Sequence, residues 1–254
     1  MAAPLTEIIA ELDGMLEPER FSDYCVNGLQ VPGPELVETI VTGVSANAEL
    51  LERAARERAD LVLVHHGLFW DPGVRSLDAI MRRRLKLLLD ADIALVAYHL
   101  PLDAHTGLGN NALIAQALGA ELLGRFAAVR GEPIGILARL PGDGLAPGAL
   151  AGRMGEVTGR QPLWVDGGPS VVSTIGIVSG GGADYLGDAA AAGAQALITG
   201  EPEERSPALA REHGIHLIAA GHHATETFGV RALGAHLAQR FEVRHVFAEV
   251  PNPV

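Results

Sequence analysis

The 254-residue sequence holds a single cysteine, Cys25, so no disulfide can close within the chain, and a lone thiol fits a reducing compartment. Aromatic residues make up only 4% of it, which leaves a hydrophobic fraction of 48% to build an aliphatic core. Basic residues are also scarce: 19 Lys and Arg stand against 31 Asp and Glu, for a net charge of −12. Proteins that grip a phosphate backbone need Lys and Arg to displace counterions. Nucleic acid is therefore excluded as an expected partner, whereas one phosphorylated small molecule is not. Apolar runs fall far short of the roughly 20 residues that cross a bilayer. The opening stretch MAAPLTEIIAELDGMLEPERF carries acids where a signal peptide has a basic start and an apolar run. The expectation is a soluble, cytoplasmic protein with no membrane partner. There is no Walker A lysine motif and no full GxGxxG, which argues against a conventional GTPase or dinucleotide oxidoreductase.

What is present alternates. Residues 5–16 place apolar side chains at helical spacing, and Asn27-Gly28 marks a turn. Runs at 39–44 (TIVTGV), 61–64 (LVLV) and 93–98 (IALVAY) read as buried strands, with helices predicted at 47–58, 77–90 and 111–118. The stretch 131–168 is rich in Gly and Pro, with a small helix near 146–157. Alternation then resumes. Strands are predicted at 173–178, 196–199 and 216–219, helices at 183–192, 206–213 and 224–240, and a last strand at 243–250. Such alternation means α/β, a parallel or mixed sheet covered by helices on both faces. The change of character near 124–131 suggests a division into two α/β lobes. The first would be 1–126, joined by the C-terminal strand 241–254, and the second 127–240.

The chain has ten histidines, and their placing matters more than their number. His65-His66 follows directly on LVLV. A regular strand would send adjacent side chains to opposite faces, but at a strand's end both can reach the crevice where open α/β sheets bind ligands. After IALVAY come His99 and then Asp103, which reads equally as a ligand, a helix N-cap or a turn former. After the strand at 216–219 come His222, His223 and Glu226. His222 and Glu226, four apart on a helix, would stack about 6 Å apart at Cβ, although ordinary surface pairs share that spacing. Three strand ends each delivering His, Asp or Glu point to a metal site. The donor mix suits Zn, Fe, Mn, Co or Ni better than the all-oxygen preferences of Mg or Ca.

Gly180-Gly181-Gly182 sits between a strand and a helix, and reads either as a tight turn or as an anion-binding nest. Phe69 and Trp70 adjoin the histidine pair, either to wall the pocket or to stack on a base. Cys25 has no local His partner and is expected to be a small buried or surface thiol rather than a nucleophile.

The strings SDYCVNGLQV (22–31), IVTGV (40–44), LVHHGLFW (63–70), HLPLDAH (99–105) and GNN (109–111) occur in order. SGGG (179–182), ITGE (198–201), AAGHHATE (219–226) and the terminal VPNPV (250–254) follow. Together they resemble the dinuclear metal-centre family of GTP cyclohydrolase 1 type 2 homologues, in its short form without a large inserted domain. The resemblance covers nearly the whole chain. It implies two lobes with the metals between them. One ion would be held by His66, Asp103 and Glu226, a second by His65, His222 and Glu226, with Glu226 bridging and His99 close by. It further implies assembly into a toroidal homohexamer. PEERSPAL after ITGE departs from the more polar, His-bearing loops of relatives, so no substrate contact is assigned there.

The implied activity is hydrolysis of a nucleotide or related heterocycle, with opening of the guanine imidazole ring of GTP as the candidate reaction. Two divalent ions would supply an activated water near neutral pH. His99 or His223, with an unperturbed pKa near 6.5, would carry the proton. The rival expectations are a metal-loaded regulatory or scaffold ring without turnover, and a two-metal phosphoesterase.

Overall fold

The strands form where apolar residues run without polar alternation. The computed structural model describes residues 2–70 and 76–254. Its strands begin with β1 (Ala3–Pro4), β2 (Gly28–Val31), β3 (Leu36–Val37), β4 (Thr39–Ser45), β5 (Leu61–His66) and β6 (Ala94–Ala97). They continue with β7 (Glu121–Val129), β8 (Glu132–Arg139), β9 (Leu163–Val165), β10 (Thr174–Val178), β11 (Ala196–Thr199), β12 (His216–Ala219) and β13 (Arg244–Phe247). The α-helices are α1 (Leu5–Leu16), α2 (Ala48–Arg56), α3 (Ala79–Asp90), α4 (Leu100–Ala104) and α5 (Asn110–Ala117). After them come α6 (Pro147–Thr158), α7 (Leu186–Ala191), α8 (Ser206–His213), α9 (His222–Thr225) and α10 (Thr227–Phe241). The fold is mixed α/β.

The chain divides into two compact units, residues up to Leu102 with Gly229–Pro251, and Asp103–Phe228 with Asn252–Val254. In the first, a five-stranded sheet has the order β13-β4-β5-β6-β2. β13, β4, β5 and β6 are parallel, and β2 closes one edge antiparallel to β6. Parallel neighbours need crossovers, which α2 and α3 supply. Asn47 caps α2, its side chain accepting from the Leu50 N–H at 2.9 Å, and Asp78 caps α3 in the same way from Met81 at 2.7 Å. Val41, Val62, Val64, Leu95 and Leu51 are fully or almost fully buried in the aliphatic core that results.

The second unit carries a six-stranded mixed sheet of order β7-β8-β10-β11-β12-β9. β10, β11 and β12 are parallel, flanked by the antiparallel β7–β8 hairpin on one side and β9 on the other. Ile136, Ile175, Ile198 and Ile218 lie in its core with Leu150 and Met154 of α6.

The division near 124–131 expected from composition falls inside the β7–β8 hairpin, because α5 packs on β7, β8 and β10 and draws residues from Asp103 onward into the second unit. The predicted helix at 224–240 is two helices, α9 and α10, interrupted at Glu226, whose backbone (φ −105°, ψ 4°) leaves helical geometry. Among the described residues no helix is long and apolar enough to cross a membrane.

Candidate metal centre

In the first unit β5 and β6 run parallel with Val64 beside Ala97, so both end at the same edge. That register sets His65 and His66, at the end of β5, beside His99, two residues past β6. The ring centroids are 4.7 Å apart for His65–His66, 4.9 Å for His65–His99 and 5.7 Å for His66–His99. One nitrogen from each ring lies within 4.8 Å of the others. Hydrogen bonds set the polarity of two rings. His65 Nδ1 is 3.0 Å from the Tyr98 carbonyl, which can only accept, so Nδ1 carries the hydrogen and the lone pair sits on Nε2. His99 Nδ1 donates likewise to Asp23 Oδ1 at 2.9 Å. His66 Nδ1 meets Ser45 Oγ at 3.0 Å, from the strand position directly opposite.

Asp23 organises this end of the unit. Its Oδ1 also accepts the Cys25 N–H at 3.0 Å, while Oδ2 accepts Asn27 Nδ2 at 3.0 Å and the Leu100 N–H at 2.9 Å. Asn27 Oδ1 in turn accepts the His99 N–H at 2.8 Å. Burial pushes the Asp23 carboxyl up, but the bond and charge of His99, then Asn27 and the Cys25 amide, prevail and hold it at about 2. Burial pushes the Cys25 thiol up to about 11. A thiolate there is disfavoured at neutral pH, in keeping with a buried thiol and not a nucleophile.

In the second unit three adjacent parallel strands end together, and each supplies the same edge: β10 leads to Ser179 and Gly180, β11 to Glu201, β12 to His222. His222 stands between two carboxylates, Nδ1 at 3.1 Å from Glu201 Oε1 and Nε2 at 3.1 Å from Glu226 Oε1. Burial works against its charged form, yet the bonds and charges of Glu226 and then Glu201 outweigh it and raise the ring to about 9. Glu226 is 3% exposed, whereas His222 is only partly buried, so a buried carboxylate faces a ring that solvent can still reach. A carboxylate oxygen and a ring nitrogen 3.1 Å apart are spaced as two ligands of one cation are. Asp103 is buried in α4, its Oδ1 accepting Asn110 Nδ2 at 2.9 Å and Ser179 Oγ at 3.0 Å, which fixes the carboxylate's rotation.

The glycine run makes a tight turn. Gly180 has φ +61°, and a Cβ there would collide with Glu226 Oε1. The Gly180 and Gly182 amides already donate to Thr225 Oγ1 at 3.0 Å and Thr199 Oγ1 at 2.9 Å, which corrects the anion-nest alternative. Phe69 packs against the first unit's core. His223 is buried, and its backbone N–H donates to the Val254 carbonyl at 3.0 Å.

Asp23, Ser45, Asn110, Ser179 and Glu201 were not singled out from the sequence, though all but Ser45 lie in the strings that carry the family resemblance. Their role is to hold the histidines and Asp103, and an anchor drawn from a distant loop leaves no spacing signature.

The profile described as Duf34/NIF3 (NGG1p interacting factor 3) matches residues 3–253. This chain belongs to the Duf34/NIF3 family. Within it, the chain is similar over its full length to a Pseudomonas aeruginosa protein named "GTP cyclohydrolase 1 type 2 homolog", with 44% identity and the whole of both chains covered. An Escherichia coli relative of the same name is 44% identical over 98% of each chain. Among solved structures, one titled "Structural genomics, protein ybgI, unknown function" superposes with a TM-score of 0.93 at 42% identity, covering 99% of this chain and 100% of that one. TTHA1606 from Thermus thermophilus does so with a TM-score of 0.88 at 37% identity, over 99% and 100% of the two chains.

Proposed function

We propose that this Duf34/NIF3 chain is a dinuclear metal-dependent hydrolase of a nucleotide or related heterocycle, with guanine ring opening of GTP as the candidate reaction. The observation that carries the reading is the fixed polarity of His65 and His99, whose Nδ1 hydrogens are committed so that Nε2 presents a lone pair. The His222–Glu226 pair, whose carboxylate is buried, supports it from the second unit. In this reading the two sets act together between two lobes, with His66, Asp103 and Glu226 on one ion and His65, His222 and Glu226 on the other. Zn, Fe, Mn, Co and Ni match these donors. Bound there, such ions supply Lewis acidity and lower the pKa of water toward neutrality.

The chain's own residues do the rest. His99 takes a proton at Nε2 as water adds to the carbon between the two imidazole nitrogens, and returns it to the departing ring nitrogen. One water opens the ring to a formamide, and a second releases formate. Asp23 stabilises the positive His99 ring and holds its orientation. Glu201 orients His222, and Asn110 with Ser179 orients Asp103. His99 is preferred as the proton carrier because its Nδ1 meets the buried Asp23 carboxylate at 2.9 Å. The names of the curated relatives support the choice of GTP. Assembly as a homohexamer, and action in the cytoplasm, complete the proposal on the family resemblance.

The test is release of formate and phosphate from GTP by protein reloaded with Zn, Mn or Fe, beside a His222→Ala control. Metal-dependent formate release that the control lacks is the expected result. Phosphate without formate would replace the reaction with phosphoester hydrolysis, and neither product would replace it with a scaffold role.

A further inference from the structure

Few aromatic rings are available to this chain, with two tryptophans and three tyrosines in its 254 residues. One of each lies against the histidine cluster of the first unit. Cys25 and Trp70 face each other in an antiparallel bridge, reinforced by the Val26 N–H donating to the Phe69 carbonyl at 3.1 Å. That short ladder fixes Tyr24 alongside Trp70, with ring centroids 5.9 Å apart and planes inclined by only 26°. Trp70 is pinned from the other side, its Nε1–H donating to the Gly67 carbonyl at 3.0 Å. Both rings also meet His99, Tyr24 at 5.1 Å and Trp70 edge-on at 5.3 Å. Trp70 lies 5.9 Å from His66 as well.

Tyr24 is the unexpected member, for it remains 47% exposed although the adjacent Cys25 is buried. A large ring held this rigidly, backed by a second ring and left open to solvent, has the form of a stacking surface. Its orientation is set before any ligand arrives, so little rotamer entropy is lost on binding. A flat π-system gains from such a face whatever its hydrogen-bonding edge, whereas a bare sugar or phosphate gains nothing comparable.

We infer that Tyr24, backed by Trp70, forms a stacking site for a planar nitrogen heterocycle of nucleobase size beside His66 and His99. This rests on the reading of the histidine cluster as a reaction site and names what holds the ring that reacts there. Recognition then begins with the base, and the phosphates of a nucleotide are secondary to it.

Trp70 reports on this site directly. In a Trp164→Phe background it is the only tryptophan, and its emission can be followed while guanosine or ribose 5-phosphate is titrated. Guanosine is expected to change Trp70 emission saturably and ribose 5-phosphate to leave it unaltered. Adding Tyr24→Leu should weaken guanosine binding by roughly tenfold or more, while Tyr24→Phe keeps it. A matched thermal midpoint, with the behaviour of Tyr24→Phe, separates a lost ring from a lost fold. Equal responses to both ligands, or unchanged affinity in Tyr24→Leu, would overturn the stacking site. The outcome is separable from that of the hydrolase reading: guanosine binding without formate release would keep the site and remove the reaction. Formate release whose KM ignores Tyr24→Leu would do the reverse.

Discussion

At Gly180 the absence of one methyl group lets Glu226 occupy its position. With φ at +61° the backbone there already favours glycine, and an alanine Cβ would meet Glu226 Oε1 and stand 3.1 Å from His222 Nε2. Gly180→Ala is therefore expected to lower bound metal sharply, as measured by elemental analysis, while far-UV circular dichroism still reports a folded chain. Asp23 acts at one remove, through His99. Asp23→Asn keeps the size of the side chain but removes the charge facing the ring, and should lower kcat by about a hundredfold. His223→Ala, tested alongside, should leave kcat within a few-fold of the parent. A residue away from these side chains sets a pH dependence. His245 is half-buried with Nε2 at 2.8 Å from Thr42 Oγ1, and burial, with Arg231 nearby, keeps its pKa below 6.5. The folded chain then binds fewer protons than the unfolded chain as pH falls through 6.5, so His245 leaves stability untouched only well above that value and erodes it on acidification. Thermal midpoints of the parent and His245→Gln should converge near pH ~7.5, about one unit above the unperturbed histidine value. Toward about pH 5 the parent should lose more, relative to the variant.

Among the elements, those whose residues are buried on both faces were the most legible in sequence. IVTGV, LVLV and ALVA have no alternation to confuse with a helix, and their buried parallel strands follow from that. Ends of parallel strands gather ligands, so His65, His66, His99 and His222 stand out from the sequence as candidates. The β7–β8 hairpin was not legible. Leu122 and Leu123 of β7 are 41% and 40% exposed, so the strand lacks the clean inside–outside alternation that would have marked it. With only three residues, β9 is too short to leave a pattern at all. The His222–Glu226 spacing suggests one continuous helical face, yet the helix breaks at Glu226 and the pair still meets, because the turn after β12 starts α9 beside Gly180. Caps give the helices a measurable share of stability. Asn47→Ala removes the bond to the Leu50 N–H and should cost about 1 kcal/mol in urea unfolding. Leu63→Ala, at a fully buried position in β5, should cost about 3 kcal/mol through lost burial and the cavity left behind.

For the whole molecule, chain ends and sheet order are linked: β13 returns the last strand to the edge beside β4, so the first unit is built from both ends of the described chain. A homohexamer predicts a solution mass six times the 26.6 kDa of one chain, measurable by light scattering. The central proposal is that the histidines of the first unit and the His222–Glu226 pair of the second hold ions jointly. Metal stoichiometry tests it most directly, in purified parent protein, His65→Ala and Glu226→Gln, each reloaded with zinc and dialysed. The account predicts two ions per chain in the parent and losses in both variants, the greater in Glu226→Gln, whose side chain is the proposed bridge. Two ions retained in Glu226→Gln, or none in the parent, would contradict it.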